Sequence, residues 1–119
     1  MGAANLCGYL DRSAAAFPGR TAVVDPSWSA LTYQELQDQA NRVAGWLVER
    51  GVKPGDRIGV IAPKSASVVV TLFGIMKAGA AYVPADYTAP SSRNQTLLAD
   101  CGVKVVFLHP EAAGVVGTW

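Results

Sequence analysis

Few side chains in this sequence are of a type that does chemistry, and their spacing limits what that chemistry is. His109 is the sole histidine and precedes Pro110 after an apolar run. A nucleophilic triad needs a base, a nucleophile and an orienting acid in one constellation, and no such motif surrounds it. Cys7 and Cys101 are too few and too far apart for a metal-ligand pattern, and read as reduced, buried thiols. Asp86 follows Tyr82-Val83-Pro84. Loops beyond the carboxyl ends of parallel strands are where α/β sheets put ligands, although an aspartate there also braces its own loop. Lys77 and Arg93 can attract phosphate, but Lys77 falls in the last turn of an expected helix, where a solvated cation complements the dipole. Trp28, Trp46 and Trp119 are not interleaved with basic residues, so packing is expected rather than base stacking.

A nucleotide site needs backbone N–H groups that approach phosphate closely, yet neither G-x-G-x-x-G nor G-x-x-x-x-G-K-[ST] occurs. Gly51, Gly55, Gly79 and Gly102 instead fall at expected helix ends and turns, where positive φ is wanted.

The elements that must position these residues follow from pattern. Asn5 can cap a helix carrying Leu6, Tyr9, Leu10 and Phe17, stopped by Pro18-Gly19. Residues 21–25 and 29–32 read as short strands pairing in a hairpin-like entry. Thr32-Tyr33-Gln34-Glu35 fits a capping box, and Leu36, Ala40, Val43, Ala44, Leu47 and Val48 form an apolar helical stripe behind it. Lys53-Pro54-Gly55-Asp56 fits a type II turn, followed by a buried strand over 57–62. A crossover helix over 65–78 is apolar nearly all round, a strand covers 80–84, and a loop runs from Pro84 to Pro90. Ser92-Arg93-Asn94-Gln95 fits a second capping box, and a last buried strand covers 103–108. The order β, α, β, α, β has the spacing of right-handed crossovers, so the class is α/β: a parallel-sheet βαβαβ core with covering helices. We read residues 1–119 as a single unit, with an entry helix and hairpin over 5–32, the α/β unit over 33–108 and a tail over 109–119.

The chain has 119 residues, half of them apolar and 16% charged, enough for one domain with a real core and no more. Ten basic against nine acidic side chains leave a formal net charge of +1, so at the level of net charge the electrostatic footprint of a nucleic-acid binder is absent and only an isolated basic patch is left open. The first residues lack a signal peptide's basic region and apolar run, and no uncharged apolar stretch is long enough for a bilayer, so a cytoplasmic chain without a membrane partner is expected.

Two segments carry a family pattern. Leu31-Thr32-Tyr33-Gln34-Glu35-Leu36 resembles the first core motif of the adenylate-forming enzymes, the superfamily of acyl-CoA synthetases, nonribosomal peptide synthetase adenylation domains and luciferases. Ile75-Met76-Lys77-Ala78-Gly79-Ala80-Ala81-Tyr82-Val83-Pro84-Ala85-Asp86 resembles the second, and Arg93 follows after a Pro-containing loop. The segments 51–57 and 99–104 also look like this family. Met76, where Leu is usual, and Asp86-Tyr87-Thr88, where Asp-Pro is frequent, are mild departures. The Tyr-Val-Pro-x-Asp form is closer to synthetase adenylation domains than to long-chain acyl-CoA synthetases.

The resemblance implies the N-terminal portion of an adenylation domain's large subdomain. In complete members of the family a carboxylate attacks the α-phosphate of ATP with Mg²⁺ present, and coenzyme A or a carrier-protein phosphopantetheine then takes the acyl group. The phosphate loop, the adenine and ribose motifs and the C-terminal lysine of that family have no counterpart in these residues. Leu31, Thr32, Tyr33, Glu35, Leu36, Lys77, Ala78, Gly79, Tyr82, Val83, Pro84, Asp86 and Arg93 are therefore assigned as structural motif residues. None is assigned a catalytic, cofactor-binding or metal-binding role. The expectation is a scaffold piece of an ATP-dependent carboxylate-activating ligase, inactive alone. It should expose an apolar edge or face that pairs with the remainder of the domain, with a carrier protein or with itself. The competing readings are a non-enzymatic interaction module that dimerises or binds a synthetase or carrier protein, and a flavodoxin-like coenzyme binder.

Overall fold

The computed structural model describes residues 6–24, 30–63 and 65–108. Their order is α1 (Leu6–Ala16), β1 (Thr21–Val23), β2 (Leu31–Thr32), α2 (Tyr33–Glu49), β3 (Arg57–Ile61), α3 (Ala66–Lys77), β4 (Ala81–Ala85), α4 (Ser91–Cys101) and β5 (Val105–Leu108). The expected α/β class is the observed one. β1 and β2 pair antiparallel, as the hairpin-like entry required, with Thr21 opposite Thr32. β3 lies between β4 and β5 and is parallel to both. Asn5, Trp28, His109 and Trp119, and the tail as a whole, lie outside the described residues.

Local chemistry accounts for most boundaries. The Thr32 hydroxyl accepts from the Glu35 N–H at 3.1 Å and the Glu35 carboxylate accepts from the Thr32 N–H at 2.9 Å. This reciprocal pair starts α2. The Lys53 carbonyl accepts from the Asp56 N–H at 3.0 Å across Pro54-Gly55. Gly55 there has φ +88°, the value a type II turn needs at its third position.

Strand alternation sorts the core into two faces. Ile58 and Val60 of β3 pack with Leu47, Ile75 and Ala78 beneath α2 and α3. Ile61 packs with Ala85 and Leu98 on the other face, beneath α4. Gly59 points to that second face, where a Cβ would stand 2.8 Å from Leu98 Cδ2, so its missing side chain lets α4 sit close. α3 and α4 thus cover opposite faces, which is what right-handed crossovers require when the chain moves from β3 out to β4 and back past β3 to β5.

Four local expectations need correction. Val48 is 58% exposed and lies off the buried α2 stripe, which is Leu36, Ala40 and Leu47. Pro84 is inside β4 rather than opening the following loop, and pairs with Val60. The last strand begins at Val105, two residues later than the pattern suggests. The second capping box does not form: Pro90 occupies the N-cap position without a side-chain bond, and its carbonyl accepts from the Arg93 and Asn94 N–H groups. Ser92 is thereby drawn into the first turn of α4, where its carbonyl accepts from the Thr96 hydroxyl at 3.0 Å.

Candidate functional site

The carboxyl ends of β3 and β4 lie side by side, with Ile61 opposite Ala85. The chain leaves β3 toward the α3 face and leaves β4 toward the α4 face, the divergence that opens a ligand crevice in parallel sheets. Asp86 stands on that rim. Its carboxylate accepts from the Thr88 hydroxyl at 2.6 Å and from the Thr88 N–H at 2.9 Å. These two bonds hold the Asp86 carboxyl below the usual carboxylate range, and the charge of Arg93 adds a smaller push in the same direction. The Asp86 carbonyl accepts from the Ala89 N–H at 3.0 Å and from the Asn94 side-chain amide at 2.9 Å. Asn94 is 2% exposed, so α4 fastens this loop from beneath. Asp86 therefore braces its own turn, as one of its two expected uses required.

A cavity of about 190 Å³ at the carboxyl ends of β3 and β5 is lined by Val60, Ala62, Ser67, Thr71, Phe107 and Leu108. Its hydroxyls are engaged locally: Thr71 donates to the Ser67 carbonyl at 2.8 Å, and Ser67 shares a 2.9 Å bond with Ser65. It offers no charged group to a phosphate.

Lys77 departs from the solvated cation expected in the last turn of a helix. Its side chain is 11% exposed, and Nζ donates to Asp11 Oδ1 at 2.8 Å. The same carboxylate accepts from the Gln37 amide at 2.7 Å. One carboxylate on α1 thus joins α2 to α3, and the Lys77 and Gln37 bonds hold its pKa below the usual carboxylate range. Cys7, one turn before Asp11, donates to the Phe73 carbonyl at 3.6 Å, and burial pushes its thiol up against the opposing pull of Lys77.

The remaining motif residues are packing and turn groups. Leu31 and Leu36 are buried with Leu10, Ala66 and Val70, and Tyr33 packs against that cluster. Ala78 is buried against the sheet. Gly79 has φ +80°, its carbonyl accepts from the Gly55 N–H at 3.0 Å, and a Cβ would meet Pro54 at 3.3 Å. Val83 packs beneath α4, while Tyr82, Pro84 and Arg93 are exposed. Trp46 is 38% exposed, its ring 5.7 Å from that of Phe107 with the Arg50 guanidinium 3.9 Å above it. Asp11, Gln37 and Asn94 escaped the sequence reading, because their partners come together only after the helices pack.

The sequence model of the AMP-binding enzyme family matches residues 10–117. The chain belongs to the AMP-binding enzyme family. It is 45% identical over 95 residues to the nonribosomal peptide synthetase kk1B of Curvularia clavata, covering 79% of this chain and 1% of that protein. A fatty acyl CoA synthetase of Mycobacterium tuberculosis superposes with a TM-score of 0.90 at 30% identity, over 97% of this chain and 23% of that one. The nonribosomal peptide synthetase FmoA3 superposes with a TM-score of 0.86 at 35% identity, over 92% of this chain and 12% of that one. The fold is that of the N-terminal part of adenylation domains, and the chain spans under a quarter of these relatives' lengths.

ATP and Mg²⁺, which the family implies, do not fit the residues at hand. Among the described residues no group of three or more His, Cys, Asp or Glu side chains could hold a metal ion. The Lys77 cation is spent on Asp11, and Asp86 on Thr88. Among the described residues no helix is long and apolar enough to cross a membrane.

Proposed function

We propose that this chain is the N-terminal scaffold piece of an ATP-dependent ligase that activates a carboxylate as its acyl- or aminoacyl-adenylate, and that it is inactive until joined to the remainder of the adenylation domain. The observation that carries this reading is the engagement of the motif side chains in their own fold. Thr32 and Glu35 cap a helix, Lys77 ties α1 to α3, and Asp86 closes a turn, so these four motif side chains are bonded within the fold, while Arg93 stays exposed. Adenylate formation needs cations and oriented donors around the phosphorus centre, and the complementary segments supply them. ATP, Mg²⁺ and a coenzyme A or phosphopantetheine thiol then belong to the assembled enzyme. The partner is the rest of the domain, and a carrier protein is the source of a phosphopantetheine thiol.

Carboxylate-dependent ATP–pyrophosphate exchange tests this. The 119-residue chain should show none, and the same chain joined to the later segments of an adenylation domain should show it. Exchange by the chain alone would refute the scaffold reading. A stable complex without exchange would favour a non-enzymatic interaction module.

A further inference from the structure

α1 rests on α2 and α3 through a narrow stripe. Its buried residues are Cys7, Leu10 and Ala14, spaced along one face of the helix, and only Leu10 among them is large. Cavities flank that stripe on both sides. One of about 250 Å³ lies between Leu6, Tyr9 and Ser13 of α1 and Val69 and Phe73 of α3. The other, of about 480 Å³, lies between Gly8 and Asp11 of α1, Asn41 and Ala44 of α2, and Lys77 of α3. Atoms lining a void forgo the contacts of a close-packed interior, so the seat of α1 is loosely filled. α2 and α3 meet far more closely, with no room for a Cβ at Gly74.

Side-chain bonds near the surface fasten α1 in this seat. Asp11 accepts from Lys77 Nζ at 2.8 Å and from the Gln37 amide at 2.7 Å, but its side chain is 54% exposed, where such pairs contribute little. Cys7 adds a long sulfur bond, 3.6 Å to the Phe73 carbonyl. Past the helix the backbone is anchored again. The Pro18 carbonyl accepts from the Gln34 N–H at 3.1 Å, and the Arg20 carbonyl accepts from the Tyr33 N–H at 2.9 Å. Phe17 stands between the two regimes, its N–H donating to the Ser13 carbonyl of α1 and its carbonyl accepting from the anchored Arg20. Its side chain is exposed.

We infer that α1 is a hinged strap, which opens as a unit about Phe17 while α2, α3 and the central sheet stay folded. Segments with few buried apolar contacts open at a lower free energy than the core around them. Opening parts Asp11 from Lys77 and uncovers Leu36 and Val70, which pack with Leu10 in the closed chain. The strap thus withholds a cation and an apolar floor, and its position sets whether the chain presents them. None of this depends on the ligase reading.

Native-state amide hydrogen exchange over a range of low urea concentrations separates this opening from global unfolding. A helix of 11 residues is marginal by itself in water, so a detached α1 unwinds and its amides exchange. The 119-residue chain is measured where reclosing outpaces exchange. The amides of residues 10–16 should share one opening, at least about tenfold more populated than the one that frees the β3 amides and with a smaller urea slope. Two variants assign it. Gly45→Ala, at an exposed position of α2, should slow the β3 amides about fivefold and leave those of α1 unchanged, because α2 is folded whether the strap is open or closed. Asp11→Asn weakens a tie that exists only in the closed chain, and should speed the α1 amides about threefold. A Gly45→Ala effect equal in α1 and β3, or one urea slope for both, would mean that α1 opens only with the whole chain and would overturn the inference. Rates graded along α1 instead of shared would replace the hinge with end fraying and overturn it equally. An unchanged α1 rate in Asp11→Asn would overturn the fastening by Asp11.

Discussion

Gly74 and Gly45 are both helical glycines, and the same substitution at each should change stability in opposite directions. Gly74 lies on α3 where it faces α2, and a Cβ there would come within 2.4 Å of Val43 Cβ and Cγ1 and 3.0 Å of the Ala40 carbonyl oxygen. Carbon atoms in contact prefer about 3.5–4.0 Å, so the helices must part by roughly an ångström. No rotamer relieves this, because the Val43 Cβ and the Ala40 carbonyl are fixed to the α2 backbone. Overpacking costs about 1–3 kcal/mol, and a clash with fixed atoms belongs at the upper end of that range. Alanine recovers about 1 kcal/mol of helix propensity. The net expectation for Gly74→Ala is a loss of about 2 kcal/mol. Gly45 is exposed on α2 with nothing within 4 Å of the same Cβ position, so Gly45→Ala should gain about 1 kcal/mol. For a chain of 119 residues these correspond to melting temperatures about 8 °C lower and 4 °C higher than the parent, read by circular dichroism at 222 nm. A Gly74→Ala chain as stable as the parent would refute the close α2–α3 packing on which the fold account depends.

The contrast between the two capping motifs gives a second test. Thr32→Ala should cost about 1 kcal/mol in urea denaturation, whereas Ser92→Ala, at a position that caps nothing, should stay within about 0.5 kcal/mol of the parent. Equal costs would contradict the observed start of α4. The Asp11 carboxyl has its pKa lowered in the folded state by its bonds from Lys77 and Gln37, so its contribution is present above the unfolded value near pH 4 and is lost as pH falls through the folded one. Asp11→Asn should therefore flatten the acid limb of the stability curve. The carboxylate is half-exposed, which keeps its contribution at neutral pH to about 1 kcal/mol or less. An unchanged acid limb would show that the Lys77 contact is not maintained in solution.

How much could be read from the sequence follows from the range of each interaction. The Thr32–Glu35 box, the Pro54-Gly55 turn and the positive-φ glycines at 51, 55, 79 and 102 depend on residues within four positions of one another, and all are found. Ser92 misleads because the same local code has a stronger local competitor: the Asp86–Ala89 turn delivers the chain to Pro90, whose carbonyl takes the first helical bonds. Pro84 misleads because a strand-breaking rule ignores which way the missing N–H points, and that depends on the pairing with β3. The Lys77–Asp11 pair spans 66 residues, and nothing local marks either partner. The buried Asn94 beneath the Asp86 loop is of the same kind. The family pattern was legible because its two motifs coincide with short-range structural devices, a capping box and a helix-turn-strand. Its chemistry was not, because on the scaffold function proposed above the catalytic groups belong to other segments.

The central claim is that this chain acts only as part of a larger adenylate-forming enzyme, and native mass spectrometry of the protein recovered from its natural source by a mild pull-down tests it most directly. The account predicts a species carrying the missing adenylation segments, either in one longer polypeptide or in a stable complex. A stable species of 12.4 kDa, alone or as a homo-oligomer, would contradict it.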